Sequence, residues 1–420
     1  MELLPIQNLL KSQIALRQND IISATQLLVA AGSPNPPGDT TRVAEAATHL
    51  LTKIPEIEII QHETAPGIVN LVARISSGRP GQRLVFNGHL DTYPICEHLN
   101  WTVPPLDGIL KDEKIYGRGA SDMKGGIAAS IVTATVLAEH KHLWSGEIVI
   151  TLAGDEESMG PLGTGWLLEN VDIAKGDFMI CGDVGSPNII RFGEKGFCWF
   201  EITATGISAH GAHVHKGINA IDRLRKALNS VDLLENLVVQ APPEIEEAIE
   251  EATKVSETTC GHGESHTLQH VTVNIGTITG GTLLNLMPSQ ASAQGDIRLP
   301  IGISVSQVLE HLHQHLDTMA GVTWRIIRSH EPTYTAPAHP LVQSALLASR
   351  QILGKDSSSM VNMRVGASDS RLYRATGVPS VVLGCTGYGL GAADEYATIG
   401  ELVNMAQIHA LIAYDLLKPQ

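Results

Sequence analysis

Residues 83–91 read RLVFNGHLD, an apolar run that closes on Gly88, His89 and Asp91. The same design returns as GEIVITLAGDEES at 146–158, DFMICGDVG at 177–185 and VPSVVLGCTG at 378–387. Each starts as a β-branched run and ends in glycine and mostly acidic residues, the signature of a strand that stops at a polar edge. Between them GGIAASIVTATVLAEHKH, 125–142, reads as a buried helix after a glycine-rich turn. Strands alternating with helices predict an α/β domain with a mostly parallel sheet. Ligands of such sheets gather beyond the carboxyl ends of the strands, so the acidic tails mark where chemistry is expected.

Outward from this core the texture changes near residue 190. GFCWFEITATG (196–206) reads as a strand, NAIDRLRKALNSVDLL (219–234) as a helix, and 266–280 and 290–300 as two strands. SVSQVLEHLHQHLDTM (304–319) adds a helix and GVTWRIIRS (321–329) a closing strand. This βαββαβ order predicts a smaller α+β domain inserted into the first. The expected division is 1–190 and 331–420 for the large domain and 191–330 for the insertion. PPEIEEAIEEATKVSE, 242–257, reads as an acidic, solvated surface helix. The prolines of SHEPTYTAPAHP, 329–340, mark the return to the large domain.

The chain has 420 residues, 29 Lys+Arg against 44 Asp+Glu, and a formal charge of −15. That balance argues against nucleic acid, whose phosphates need clustered cations, and against an anionic membrane surface. No stretch approaches the ~20 apolar residues that cross a bilayer. Lys11 and Arg17 interrupt what would be the apolar part of a signal peptide, and the five cysteines show no CxxC spacing. Both features point to a reducing, cytoplasmic setting.

His89 and Asp91 gain weight from their neighbours: Asp122 in YGRGASDMKGG, Glu156 and Glu157 in AGDEES, and Asp183 in CGDVGSP. One imidazole among several carboxylates, with no thiolate nearby, is the ligand chemistry of a hydrolytic zinc or a similar divalent ion. His89 is expected to bind the metal. Asp91, two residues on along an extended segment, is expected to hold the other ring nitrogen. Adjacent Glu156 and Glu157 point differently, so one can ligate while the other serves as general base.

These motifs, NGHLDTYP, WTVPPLDGILKDEKIYGRGASDMKGG, AGDEES and the N-terminal SPNPPGDT, resemble the zinc aminoacylase and carboxypeptidase family that includes acetylornithine deacetylase, succinyl-diaminopimelate desuccinylase and glutamate carboxypeptidase. The likeness spans nearly the whole chain. It implies a catalytic domain with two zinc ions at the sheet edge and an inserted lid for dimerisation and closure. It also implies His89 as ligand of one metal, Asp122 as the bridging carboxylate, Asp183 as a further ligand of the first metal, Glu157 as ligand of the second and Glu156 as general base. His210, in GISAHGAHVHKGINA, matches a lid histidine that reaches the partner subunit's site and stabilises the oxyanion. His213 and His215 read as surface residues. Ser368, Asp369 and Arg371 of GASDSRLYR match an SDxR segment in which the arginine would take a substrate carboxylate. Asn285 and Arg298 would add polar contacts from the lid.

One departure matters. The family closes its second metal site with a histidine four residues before the glutamate of an HxxDE-like segment, whereas this chain has YGLGAADEYATIGEL and Gly391 stands at that place. No histidine lies between His339 and His409. The second ion would keep Asp122, Glu157 and water unless Asp394, Glu395 or Cys385 moved in. The sequence leaves three outcomes open: a one-metal hydrolase, a second ion held with substrate, or a scaffold turned to amide formation, rearrangement or small-acid binding. The expectation is a dimeric, cytoplasmic metallohydrolase that uses one or two zinc ions, or cobalt or manganese, to cleave an amide in a small carboxylate-bearing substrate.

Overall fold

The computed structural model describes residues 3–96, 100–354 and 357–419. A nine-stranded mixed sheet forms its frame, in the spatial order Glu58–Ala65, Ile68–Ser76, Glu147–Ala153, Arg83–His89, Phe178–Cys181, Ser380–Val382, Ile189–Glu194 and Thr333–Tyr334, with Met360–Arg364 also pairing to Ile189–Glu194. The centre is parallel, as the alternation of strands and helices predicts. The edges are antiparallel: Glu58–Ala65 and Ile68–Ser76 form a hairpin, and Ser380–Val382 meets Ile189–Glu194 head to tail.

Alternate side chains of the central strand show how both faces are covered. Phe86 stacks on His409 of the helix Ile399–Leu417, ring centroids 5.7 Å apart. Its neighbour Asn87 donates to Thr164 Oγ1, at the start of the helix Thr164–Asn170, across 3.2 Å. The helix Gly125–Glu139 is buried on nearly every side, as its apolar run predicts. It approaches the strand ends so closely that a Cβ on Gly126 would run into the Gly182 carbonyl oxygen. Only glycine allows this approach, and it sets the turn carrying Asp122 beside the turn carrying Asp183.

A second, four-stranded antiparallel sheet runs Thr272–Gly280, Gln290–Leu299, Gly196–Thr205 and Val322–His330. The helices Ala220–Asp232 and Val305–Leu316 cover one face, enclosing a separate core around Phe200, Ile202, Leu224, Leu312 and Leu316. This is the sheet of the segment expected to form the inserted lid.

The acidic segment departs from its expected solvated state. The helix Pro243–Cys260 buries Ile245, Ala248, Ile249, Ala252 and Ser256, a stripe at spacings of three and four, and packs on the strand Met360–Arg364 of the large sheet. Behind it Arg191 meets Glu264 at 3.2 Å with both side chains buried. Its glutamates line the outer face, so the acidic composition masked a helical apolar stripe.

Candidate active site

The strand Arg83–His89 delivers His89 to the carboxyl edge of the sheet, where it is 2% exposed. Its Nε2 lies 3.0 Å from Asp122 Oδ1, and its Nδ1 lies 2.9 Å from the main-chain carbonyl of Asp91. The ring is thus oriented by the Asp91 carbonyl rather than by its carboxylate, whose nearer oxygen stands 3.7 Å away. The carboxylate serves a different end. It accepts the N–H groups of Glu156 and Glu157 at 3.1 and 3.0 Å and the side-chain amide of Asn35 at 2.9 Å. Asp91 therefore fixes the turn that carries both glutamates, a stronger demand on its lone pairs than one ring nitrogen.

Asp122 is placed by a clamp that the sequence did not reveal. Glu395 Oε1 accepts from the Ser121 and Asp122 N–H groups at 3.0 and 3.2 Å, and Glu395 Oε2 takes Arg118 Nη1 at 2.6 Å. Asp183 lies at the end of Phe178–Cys181 and accepts from Arg364 Nη1 at 2.8 Å. His89, Asp122 and Asp183, all buried, each present a ligand atom within 4.8 Å of the others.

The electrostatics of this cluster call for a cation. Burial opposes charge on His89, but the Asp122 carboxylate, with Glu156 and Asp91, holds its pKa well above the usual value. Burial is again the largest influence on Glu156 and raises its pKa well above the ordinary range, assisted by Asp369 and Asp183. Burial and then the Asp122 charge push Glu157 up to about 10, and its Oε1 is buried without a hydrogen-bond partner. Carboxylates crowded in this way bind protons unless a divalent ion supplies the charge, and one imidazole with two carboxylates is a donor set suited to such an ion. The residues fit a metal.

The structure brings His89, Asp91, Asp122, Glu156, Glu157 and Asp183 together, with Asp369 and Arg371 beside Glu156, but the side chains expected to bind substrate are engaged within the chain or lie on the smaller sheet. Arg371 is 2% exposed. Its Nη1 and Nη2 donate to the carbonyls of Ser368 and Met159 at 2.7 and 2.6 Å, so its fork is filled by main chain and lies 3.9 Å from Glu156. Ser368 donates its hydroxyl to Glu194, and Asp369 accepts from Thr164 Oγ1 at 2.7 Å; both are buried supports. Arg298 pairs with Asp296 at 2.8 Å and lies over the Phe197 ring. His210 and Asn285 are exposed neighbours at the lid tip, where Gly211 N–H donates to the Asn285 carbonyl across 2.7 Å. Of the three suggested replacements for the missing histidine, two are engaged and the third is a buried free thiol. Glu395 is the clamp, Asp394 accepts from Thr102 at 2.8 and 2.9 Å, and Cys385 is buried with its thiol pKa raised by burial. Arg364, which holds Asp183, gives no signal in the sequence, because nothing in its spacing distinguishes an arginine that ends a strand beside an acidic turn.

The model of peptidase family M20/M25/M40 matches residues 85–415. Succinyl-diaminopimelate desuccinylase of Rhodospirillum centenum is 26% identical over 349 residues, covering 82% of this chain and 83% of that protein. Human carnosine dipeptidase 1 shares the fold at a TM-score of 0.78 and 16% identity, over 98% of this chain and 99% of that one. A dinuclear metal-binding M20 peptidase of Bacillus subtilis aligns at a TM-score of 0.67 and 15% identity, over 96% and 99%.

Proposed function

This chain belongs to peptidase family M20/M25/M40, and from that premise we propose how its residues cleave an amide bond in a small substrate bearing a free carboxylate. The observation that carries the proposal is the convergence of His89, Asp122 and Asp183 within 4.8 Å at the sheet edge that also holds Glu156. When bound there, the metal polarises the amide carbonyl and acidifies a water. Glu156, its basicity raised by burial, takes the proton of the attacking water and returns it to the leaving amine. Asp91 keeps Glu156 aimed by holding its backbone N–H. Zinc suits the mixed nitrogen and oxygen donors, with cobalt or manganese able to occupy the same set. One ion per chain is favoured, since Gly391 carries no ligand, Asp394 and Glu395 are engaged and Cys385 is buried.

Two further features complete the proposal. The strand Thr272–Gly280 is an edge of the lid sheet, and Ile278, Leu283 and Leu284 stand 62%, 66% and 103% exposed there. An unpaired edge beside exposed apolar side chains favours a homodimer through the lid, which would let exposed His210 reach across to the partner's site. None of the described helices is long and apolar enough to cross a membrane. The acidic charge and cysteine pattern favour the cytoplasm.

Zinc-loaded Glu156→Gln protein should retain its metal and hydrolyse a panel of N-acyl amino acids and dipeptides about 10²–10⁴-fold more slowly than the parent. Equal turnover by the two proteins would overturn this role for Glu156.

A further inference from the structure

The geometry points to Arg328 as a positioning residue that ties the smaller sheet to the turn carrying Glu156, so that the base is aimed while that sheet is seated. This rests on the amide-hydrolase reading above and adds what holds its base in place.

Glu156–Ser158 is a single turn of 3₁₀-helix, followed by Met159 in the left-handed region at φ 71°. So short a turn has little hydrogen bonding of its own, and its neighbours decide where its side chains point. Asp91 takes the Glu156 and Glu157 N–H groups, Asn35 donates to the Ser158 hydroxyl at 3.0 Å, and Arg371 donates to the Met159 carbonyl. All three belong to the part of the chain that builds the large sheet. The Ser158 carbonyl is held from elsewhere. Arg328 Nη1, on the strand Val322–His330 of the four-stranded sheet, donates to it at 2.5 Å. Among the described residues this is the one hydrogen bond that the Arg328 side chain makes, and the one that joins that sheet to the turn.

The strand is shaped for this contact. Val322, Trp324 and Ile326 pack on the core beneath the helices, around Phe200 and Ile202. At the same period of two Arg328 would follow them into that core. Instead Ile326 pairs with Phe200 and Arg328 with the adjacent Trp199, which leaves Ile327 as an extra residue in the ladder. Such a bulge moves the side chains beyond it to the opposite face, and here it turns Arg328 toward Ser158. The guanidinium also stands near Asp155, whose pKa burial raises and the Arg328 charge holds back.

The contact lies beside the two crossings between the sheets. The chain enters the smaller sheet between Glu194 and Gly196 and leaves it between His330 and Thr333. A Cβ on Gly196 would strike the His330 carbonyl and the Pro332 nitrogen, so the crossings touch and form one hinge. Rotation about it carries Arg328 away from Ser158. Asp91 then still fixes the start of the turn, but its end is free to swing and the Glu156 carboxylate with it. A misplacement of about 1 Å can cost on the order of 10²-fold in rate, so a partial loss of aim is measurable.

The test compares the zinc-loaded parent with Arg328→Met, which keeps the length but donates nothing, and Arg328→Lys, which keeps the charge and a donor. Arg328 is half-buried on the face away from the helices, so neither change disturbs the core. Hydrogen exchange, read by mass spectrometry on peptides spanning residues 156–160, needs no substrate. It should quicken about fivefold in Arg328→Met and return toward the parent in Arg328→Lys. Turnover is read on whichever N-acyl amino acid or dipeptide of the panel the parent hydrolyses fastest. There kcat should fall about tenfold in Arg328→Met, with KM within about twofold and zinc content unchanged, and Arg328→Lys should recover most of it. Exchange and kcat that match the parent in Arg328→Met would overturn the assignment. So would faster exchange at unchanged kcat, or a loss of kcat that Arg328→Lys shares in full. If the parent hydrolyses nothing in the panel, the hydrolase reading falls, and exchange alone decides whether Arg328 holds the turn.

Discussion

Gly391 sits in the left-handed region at φ 70°, with nothing within 4 Å of where a Cβ would point. A histidine therefore fits sterically but must adopt a backbone conformation that costs a non-glycine residue about 1 kcal/mol. Gly391→His should lower stability by that amount in denaturant titration. If this one ligand is what dismantled the second site, bound zinc should rise from one to two ions per chain on elemental analysis. Zinc that stays at one would show that the surroundings, not the ligand alone, had changed. At this scale the convergence of His89, Asp122 and Asp183 was legible because they follow strands or lie in a glycine-rich turn, where chemistry collects whatever the surrounding sequence. The roles of Asp91 and Arg371 were not. Both depend on main-chain atoms of distant residues, the Glu156 and Glu157 N–H groups and the Met159 carbonyl, and no motif encodes where those atoms lie.

Among the elements, the strands and helices of the smaller sheet were legible from their periodicity, and Val322–His330 alternates half-buried and exposed positions along its length, although the helix Glu264–Gln269 runs into the stretch 266–280 read as strand. The helix Pro243–Cys260 was legible as a helix but not in its packing, because five exposed glutamates outweighed the stripe from Ile245 to Ser256. The same weighing applies in reverse to the lid edge. Ile278 and Leu284 each look unremarkable in sequence, yet together they leave apolar surface beside unpaired backbone on Thr272–Gly280. Burial of such surface is worth about 25 cal/mol per Å², so a second copy has a reason to cover it. Sedimentation equilibrium should give a dimer for the parent and a monomer for a protein carrying Ile278→Lys and Leu284→Lys, both exposed changes that spare the lid core. A parent that sediments as a monomer, or a double variant that stays dimeric, would remove the lid edge as the interface.

Across the whole molecule the active-site edge depends on a large core that also hides titratable groups, and His409 shows the consequence. It lies at 0% exposure under the sheet, its Nε2 donating to the Leu383 carbonyl at 2.8 Å and its Nδ1 buried without a partner. Burial lowers its pKa from 6.5 to about 4, so the folded protein keeps the ring neutral well into the acid range. The unfolded chain takes up this proton near pH 6.5. Between these two values the unfolded state binds more protons, and stability falls as the pH drops through that window. A difference of that size corresponds to about 3 kcal/mol lost by pH 4. Carboxylates elsewhere also titrate at low pH, so the measurement is a comparison. Urea unfolding of the parent and of His409→Gln, whose amide can still donate to the Leu383 carbonyl, should show the parent losing about 3 kcal/mol more between pH 7 and pH 4. Parallel losses in the two proteins would mean that the ring is already charged in the fold, which a buried imidazole nitrogen with no acceptor opposite it could not sustain.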